Sequence, residues 1–150
     1  MTTPQRLAVR RHATGSETEL SLDVPSDLAY VGPAVELVAG ALPGGLLSAR
    51  RIRFNFRTAF AEALANAIAY GSRHDPRRLV HVRVEAGRDA VHIHVTDAGQ
   101  GFDPDAVPDP TLPGRLERED GRGLFVLRSL VDHVAFSAAG NSICLTLRAG

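Results

Sequence analysis

The chain contains no lysine and no tryptophan, and its only cysteine is Cys144. One thiol cannot form an intrachain disulfide, so a reducing compartment is the simplest reading. Neither sign of charge dominates, because Lys+Arg and Asp+Glu number 17 each. That balance gives no general attraction to nucleic acid or to an anionic bilayer. No direct nucleic-acid or membrane partner is therefore expected. No run approaches the roughly 20 apolar residues of a spanning helix. The first six residues lack the apolar stretch of a secretory signal. A cytoplasmic protein is expected. All 17 cations being arginine, with abundant Ala and Gly, suggests a GC-rich bacterial genome. What is present is ordinary for a globular protein: 44% apolar and 23% charged residues. We read residues 1–150 as one domain, large enough to need no disulfide or metal staple.

Hydrophobic periodicity sets the element order. Leu7 to His12 and Glu19 to Val24 read as short strands joined by the turn Thr14-Gly15-Ser16. Ser26 offers an N-cap, followed by a helical stripe of Leu28, Val31, Val35, Leu37 and Val38. Gly32-Pro33 weakens the start of that stripe. Ser48 caps a longer helix to about Tyr70, with Ile52, Phe56, Ala59, Phe60, Ala63, Ala67 and Ile68 on its buried side. Phe54, Phe56 and Phe60 read as core residues, and Gly71 as the C-cap. Val80, Val82 and Val84, then Val91, Ile93 and Val95, alternate with polar residues around Gly87-Arg88-Asp89 and predict a hairpin. Residues 98–120 carry Pro104, Pro108, Pro110 and Pro113 and cannot hold a regular element for long. A loop of that length is usually a lid or a binding loop. Leu124 to Val131 form a short apolar helix. Val134 to Ser137 and Ile143 to Leu147 are the last strands, turning at Gly140-Asn141. One apolar and one polar sheet face place all helices on one side. The fold class expected is α+β, a two-layer α/β sandwich.

Three clusters carry residues suited to chemistry. Glu62 and Asn66 sit four apart and share a helix face among small alanines. Asn offers a neutral oxygen to a hard cation beside phosphates, and Glu can accept a proton from a hydroxyl. The pair also suits a plain solvated helix face. The second cluster, Asp97-Ala-Gly99-Gln-Gly101-Phe102-Asp103, begins where the Val91–Val95 strand stops. Its carboxylate can accept from an exocyclic amine such as adenine N6. Gly99 and Gly101 allow backbone to press on a flat ring. A simple Asp/Gly turn has the same composition. The third cluster, Asp120-Gly121-Arg122-Gly123-Leu124, opens the last helix. Its free N–H groups can meet an anion. Arg115, Arg118 and Arg122 can add charge to a phosphate contact, although Glu117, Glu119 and Asp120 partly offset them.

The order and spacing of the clusters form a constellation. It resembles the N, G1 and G2 boxes of the GHKL ATPases, whose ATP pocket is called the Bergerat fold. The finer text is similar to the RsbW-type anti-sigma-factor serine kinases over about residues 18–148. The matching segments are Glu62-Ala-Leu-Ala-Asn66-Ala-Ile-Ala-Tyr70-Gly71, Asp97-Ala-Gly-Gln-Gly-Phe-Asp-Pro104 and Gly121-Arg-Gly-Leu-Phe-Val-Leu-Arg-Ser-Leu-Val-Asp132. Tyr70-Gly71-Ser72 stands where the family often has His-Gly-Asn, and Arg122 where leucine is also common.

The resemblance implies roles. Asn66 holds Mg²⁺ and Glu62 is the base or orienting carboxylate. Asp97 binds adenine, above a floor of Gly99 and Gly101. Gly121 and Gly123 bind phosphates. Phe102, Arg115, Arg122 and Leu124 complete the ATP or ADP site, and residues 103–120 form the lid. The sheet is expected to be mixed. The γ-phosphate goes to a Ser or Thr of a STAS-domain antagonist, and the kinase also sequesters an RNA-polymerase sigma factor, commonly as a homodimer. Two alternatives stay open. One is a nucleotide-dependent binding module without phosphotransfer. The other is the ATP domain of a histidine kinase, although His12, on a strand, is the only histidine before the ATP region.

His81, His92 and His94 alternate onto one polar sheet face. Three imidazoles there could bind zinc, but exposure on an open sheet or a subunit contact is the commoner use. Cys144, between Ile143 and Leu145, faces the opposite side from them and reads as a quiet, partly buried thiol.

Overall fold

A computed structural model describes residues 7–71, 75, 77–97, 122–137 and 141–150. Among the described residues six strands form one sheet: β1 (Arg10–Thr14), β2 (Glu17–Pro25), β3 (Leu79–Ala86), β4 (Ala90–Thr96), β5 (His133–Phe136) and β6 (Ser142–Arg148). Their spatial order is β1-β2-β3-β4-β6-β5. Among the described residues three helical stretches cover one face. They are α1 (Val31–Ala41), a long composite helix whose regular part is α2 (Arg57–Asn66), and α3 (Arg122–Leu130). This is the α+β two-layer architecture that the alternation of apolar and polar residues predicts.

The pairing corrects one expectation. All five described strand pairings are antiparallel, so the sheet is not mixed. The reason lies in the last hairpin. β4 and β5 run the same way, as a helical crossover demands. β6 inserts between them and opposes both.

Alternation builds the core. Leu20, Leu22 and Val24 of β2 face inward with Val80, Val82 and Val84 of β3. Val91, Ile93 and Val95 of β4 and Ile143, Leu145 and Leu147 of β6 continue the same layer. The composite helix presses Phe56, Ala59, Phe60, Ala63, Leu64, Ala67 and Ile68 onto this surface, all fully or almost fully buried. The rings of Phe56 and Phe60 pack tilted, with centroids 6.0 Å apart. Each such large side chain contributes about 1.5–3 kcal/mol by leaving water.

Phe54 is not among them. It is 54% exposed, because two residues before Phe56 lies on the other side of the helix. Leu28 and Leu37 are likewise exposed, and Ala34 fills the α1 contact with Val35 and Val38. Ser26 is not a cap. It is fully buried, and its hydroxyl donates to the Arg78 carbonyl at 2.8 Å. Asp27 does the capping, accepting from the Ala29 N–H at 2.9 Å.

Ser48 does cap the composite helix, its hydroxyl accepting from the Arg51 N–H at 3.1 Å. The helix begins and ends in wide π turns, Arg51–Phe56 and Ala67–Gly71, on either side of α2. Gly15, at φ 57°, makes the β1–β2 turn as the sequence predicts.

Candidate functional site

The composite helix is the organising element of the candidate site. Glu62 and Asn66 are both half-buried on it, one turn apart. The Asn66 side-chain nitrogen donates to Glu62 Oε1 at 3.3 Å. The neighbouring positions Ala63, Leu64 and Ala67 are buried against the sheet, so the polar pair lies at the helix flank, beside the core rather than in open solvent. The bond holds the Asn66 nitrogen toward Glu62 and leaves its carbonyl oxygen for another partner.

Asp97 follows the last residue of β4 and is only 6% exposed. Its backbone N–H donates to the Asn141 carbonyl at 2.9 Å, which anchors it to the loop before β6. Its side chain lies on Gly71, the last residue of the composite helix. A methyl group built on Gly71 would sit 2.3 Å from both Cγ and Oδ2 of Asp97. The end of the first cluster and the start of the second are therefore in contact.

Gly71 does not act as the left-handed cap that the sequence suggested. Its φ lies outside the left-handed region. Its small size serves the approach of Asp97. A glycine at a helix end has two possible physical causes, and the sequence does not distinguish them.

The third cluster reaches the same helix through α3. Leu124 and Leu127 are buried, and α3 packs on α2. Asn55, near the start of the composite helix, donates its side-chain N–H to the Leu130 carbonyl at 2.7 Å. Arg122 and Gly123 form the first turn of α3. Gly99, Gly101, Phe102, Arg115 and Gly121, and the expected lid 103–120, lie outside the described residues.

One magnesium site was expected at Asn66. The donor chemistry fits such an ion: one neutral and one anionic oxygen-bearing side chain, half-buried and adjacent. Mg²⁺ takes one or two protein oxygens and fills the rest of its shell with water and phosphate.

The three histidines go to separate partners. His81 Nδ1 meets Asp23 Oδ1, His92 Nδ1 meets Thr146 Oγ1 at 2.9 Å, and His94 Nε2 meets Glu85 Oε1 at 2.7 Å. Among the described residues no group of three His, Cys, Asp or Glu is arranged to hold a metal ion. Cys144 stands beside His94, 3.9 Å from Nε2. Burial pushes its thiol above the ordinary value, against a hydrogen bond with Thr146. No helix among the described residues is long and apolar enough to cross a membrane.

A family model described as the histidine kinase-like ATPase domain matches residues 24–147. Two relatives add detail. The chain is 26% identical over 127 residues to a protein of Oceanobacillus iheyensis named serine-protein kinase RsbW, covering 77% of this chain and 76% of that one. It is 32% identical over 88 residues to a protein of Geobacillus thermodenitrificans named anti-sigma F factor, covering 57% of this chain and 60% of that one. The family match runs from the end of β2 into the end of β6 and so includes all three clusters.

Proposed function

Because the chain belongs to the histidine kinase-like ATPase domain family, we propose that it is an ATP-dependent protein serine/threonine kinase acting as an anti-sigma factor. The names of its two relatives support this reading. The observation that carries it is the Glu62–Asn66 pair, on the helix whose last residue abuts the buried Asp97. A cation-binding oxygen and a proton acceptor then belong to the helix whose end meets the amine-binding carboxylate. We take residues 1–150 as one such domain acting in the cytoplasm.

In this reading Asp97 accepts a hydrogen bond from the adenine amine. Gly99, Gly101 and Phe102 shape the base pocket. Arg122, Gly123 and Leu124, at the start of α3, receive the phosphates together with Gly121 and Arg115. Mg²⁺, when bound, neutralises phosphate charge during transfer. Asn66 supplies its protein oxygen. Glu62 takes the proton from the hydroxyl of the acceptor serine or threonine. That oxygen bonds to the γ-phosphorus as the bond to the β,γ-bridging oxygen breaks, and ADP leaves. Catalysis rests on positioning and charge neutralisation. The acceptor proposed is a STAS-domain antagonist, and the second partner is an RNA-polymerase sigma factor, with the kinase acting as a dimer.

The test is incubation of the purified protein with γ-labelled ATP, Mg²⁺ and a cognate STAS protein. Acid-stable label on a serine or threonine of the STAS protein is expected. Confirmed ATP binding with no such label would remove the kinase reading.

A further inference from the structure

We infer that Gly71 is the positioning residue for Asp97 and thereby sets selectivity for the base; the inference rests on the proposed role of Asp97 in reading adenine. Three observations converge on it. A Cβ at Gly71 would lie 2.3 Å from Asp97 Cγ, 2.3 Å from Oδ2 and 2.5 Å from Cβ. Carbon atoms in contact rest about 3.5–4.0 Å apart, so this is overlap, not packing. Next, Asp97 cannot simply withdraw. It is buried, and its N–H is held by the Asn141 carbonyl at 2.9 Å. The overlap includes its Cβ, which a rotation of the carboxylate leaves in place. Last, the Gly71 backbone has no left-handed φ, so alanine is compatible with the chain path there. The contact with Asp97 is what demands glycine.

The consequence is functional. The helix that bears Glu62 and Asn66 ends against the carboxylate that faces the base. A side chain at position 71 forces the Asp97 carboxylate out of line. A carboxylate so displaced no longer separates a purine with a 6-amino group from one with a 6-oxo group. ATP and ITP differ only at C6 and in the proton that N1 carries in the 6-oxo base, which makes them the probes.

The experiment is calorimetric titration of the purified full chain with ATP and with ITP, for wild type, Asp97→Asn and Gly71→Ala. Wild type is expected to prefer ATP by about tenfold or more, the scale of one hydrogen bond to a charged, buried partner. Gly71→Ala is expected to lose that preference through weaker ATP binding, with ITP affinity unchanged within about threefold. A merely structural role for Gly71 lowers both affinities together and overturns the inference, as does a preference that survives in Gly71→Ala. If wild type shows no preference, or Asp97→Asn keeps it, the role of Asp97 fails instead, and the inference with it.

Folding gives an independent readout. Asp97→Gly removes all three overlapping atoms. The stability lost by Gly71→Ala in the wild-type background is expected to be largely absent in the Asp97→Gly background, the signature of two residues in contact. A loss of equal size in both backgrounds, or failure of both Gly71→Ala chains to fold, shows that Asp97 is not what excludes a side chain and overturns the inference.

Discussion

The Asn55 side chain donates to the Leu130 carbonyl at 2.7 Å, joining the start of the composite helix to the last residue of α3. The final carbonyls of a helix have no partner within it, and Asn55 supplies one from a neighbouring element. This bond and the Gly71–Asp97 contact act at opposite ends of the same helix. Between them they hold Asp97 and α3 against that helix.

Asn55→Ala removes that partner. The expected cost is about 1–2 kcal/mol, the range for losing a hydrogen bond and leaving a partly buried carbonyl unmet. Urea denaturation measures it. A change below about 0.3 kcal/mol would mean that water replaces Asn55 without loss.

Asp132 predicts an acid sensitivity. The Arg148 backbone N–H, at 2.7 Å, and the Arg51 guanidinium, at 3.2 Å, hold its carboxyl below the ordinary aspartate value. A depressed folded value means stability that is present above the unfolded value of about 3.9 and lost as pH falls through the folded one. The side chain is 35% exposed, so solvent screening reduces the effect to about 1 kcal/mol. Asp132→Asn is expected to lower stability by that amount at pH 7. The gap to wild type should close below about pH 4. Denaturation curves across pH 3–7 check it, and a gap independent of pH contradicts it.

The phenylalanines give a contrast in burial. Phe60→Ala empties a fully buried site and should cost about 3–5 kcal/mol. Phe54→Ala, at a side chain more than half exposed, should stay within about 0.5 kcal/mol. Equal costs would contradict the orientation of the composite helix.

Glu62→Gln separates binding from transfer. The amide keeps the shape but cannot take the hydroxyl proton. Transfer to the STAS protein should fall at least about a hundredfold, the usual weight of a general base. ATP affinity should stay within about threefold. Single-turnover transfer and calorimetry measure the two. Unchanged transfer would remove Glu62 as the base.

Period-2 alternation showed β2, β3, β4 and β6, because each is apolar on one face alone. The buried stripe of the composite helix was legible for the same reason, as was the Glu62–Asn66 pair, since four residues is one turn. The bounds of the edge strand β1 are not legible in the sequence, because all five of its residues are exposed and carry no pattern. Phe54 misled through composition, since spacing rather than residue type decides which side of a helix is buried. The all-antiparallel order was hidden because it depends on where β6 inserts, a tertiary fact. Gly71 was visible as a glycine, but its contact with Asp97 needed the structure. Asp27 displaced Ser26 as cap because burial and the Arg78 carbonyl claim the serine hydroxyl.

Calorimetry with ATP, with and without Mg²⁺, on wild type and Asp97→Asn is the most direct test of a nucleotide bound where the three clusters meet. One ATP per chain is expected, bound more tightly with Mg²⁺ and at least about tenfold more weakly by Asp97→Asn. Undiminished binding by Asp97→Asn, or no binding by the wild type, would contradict it.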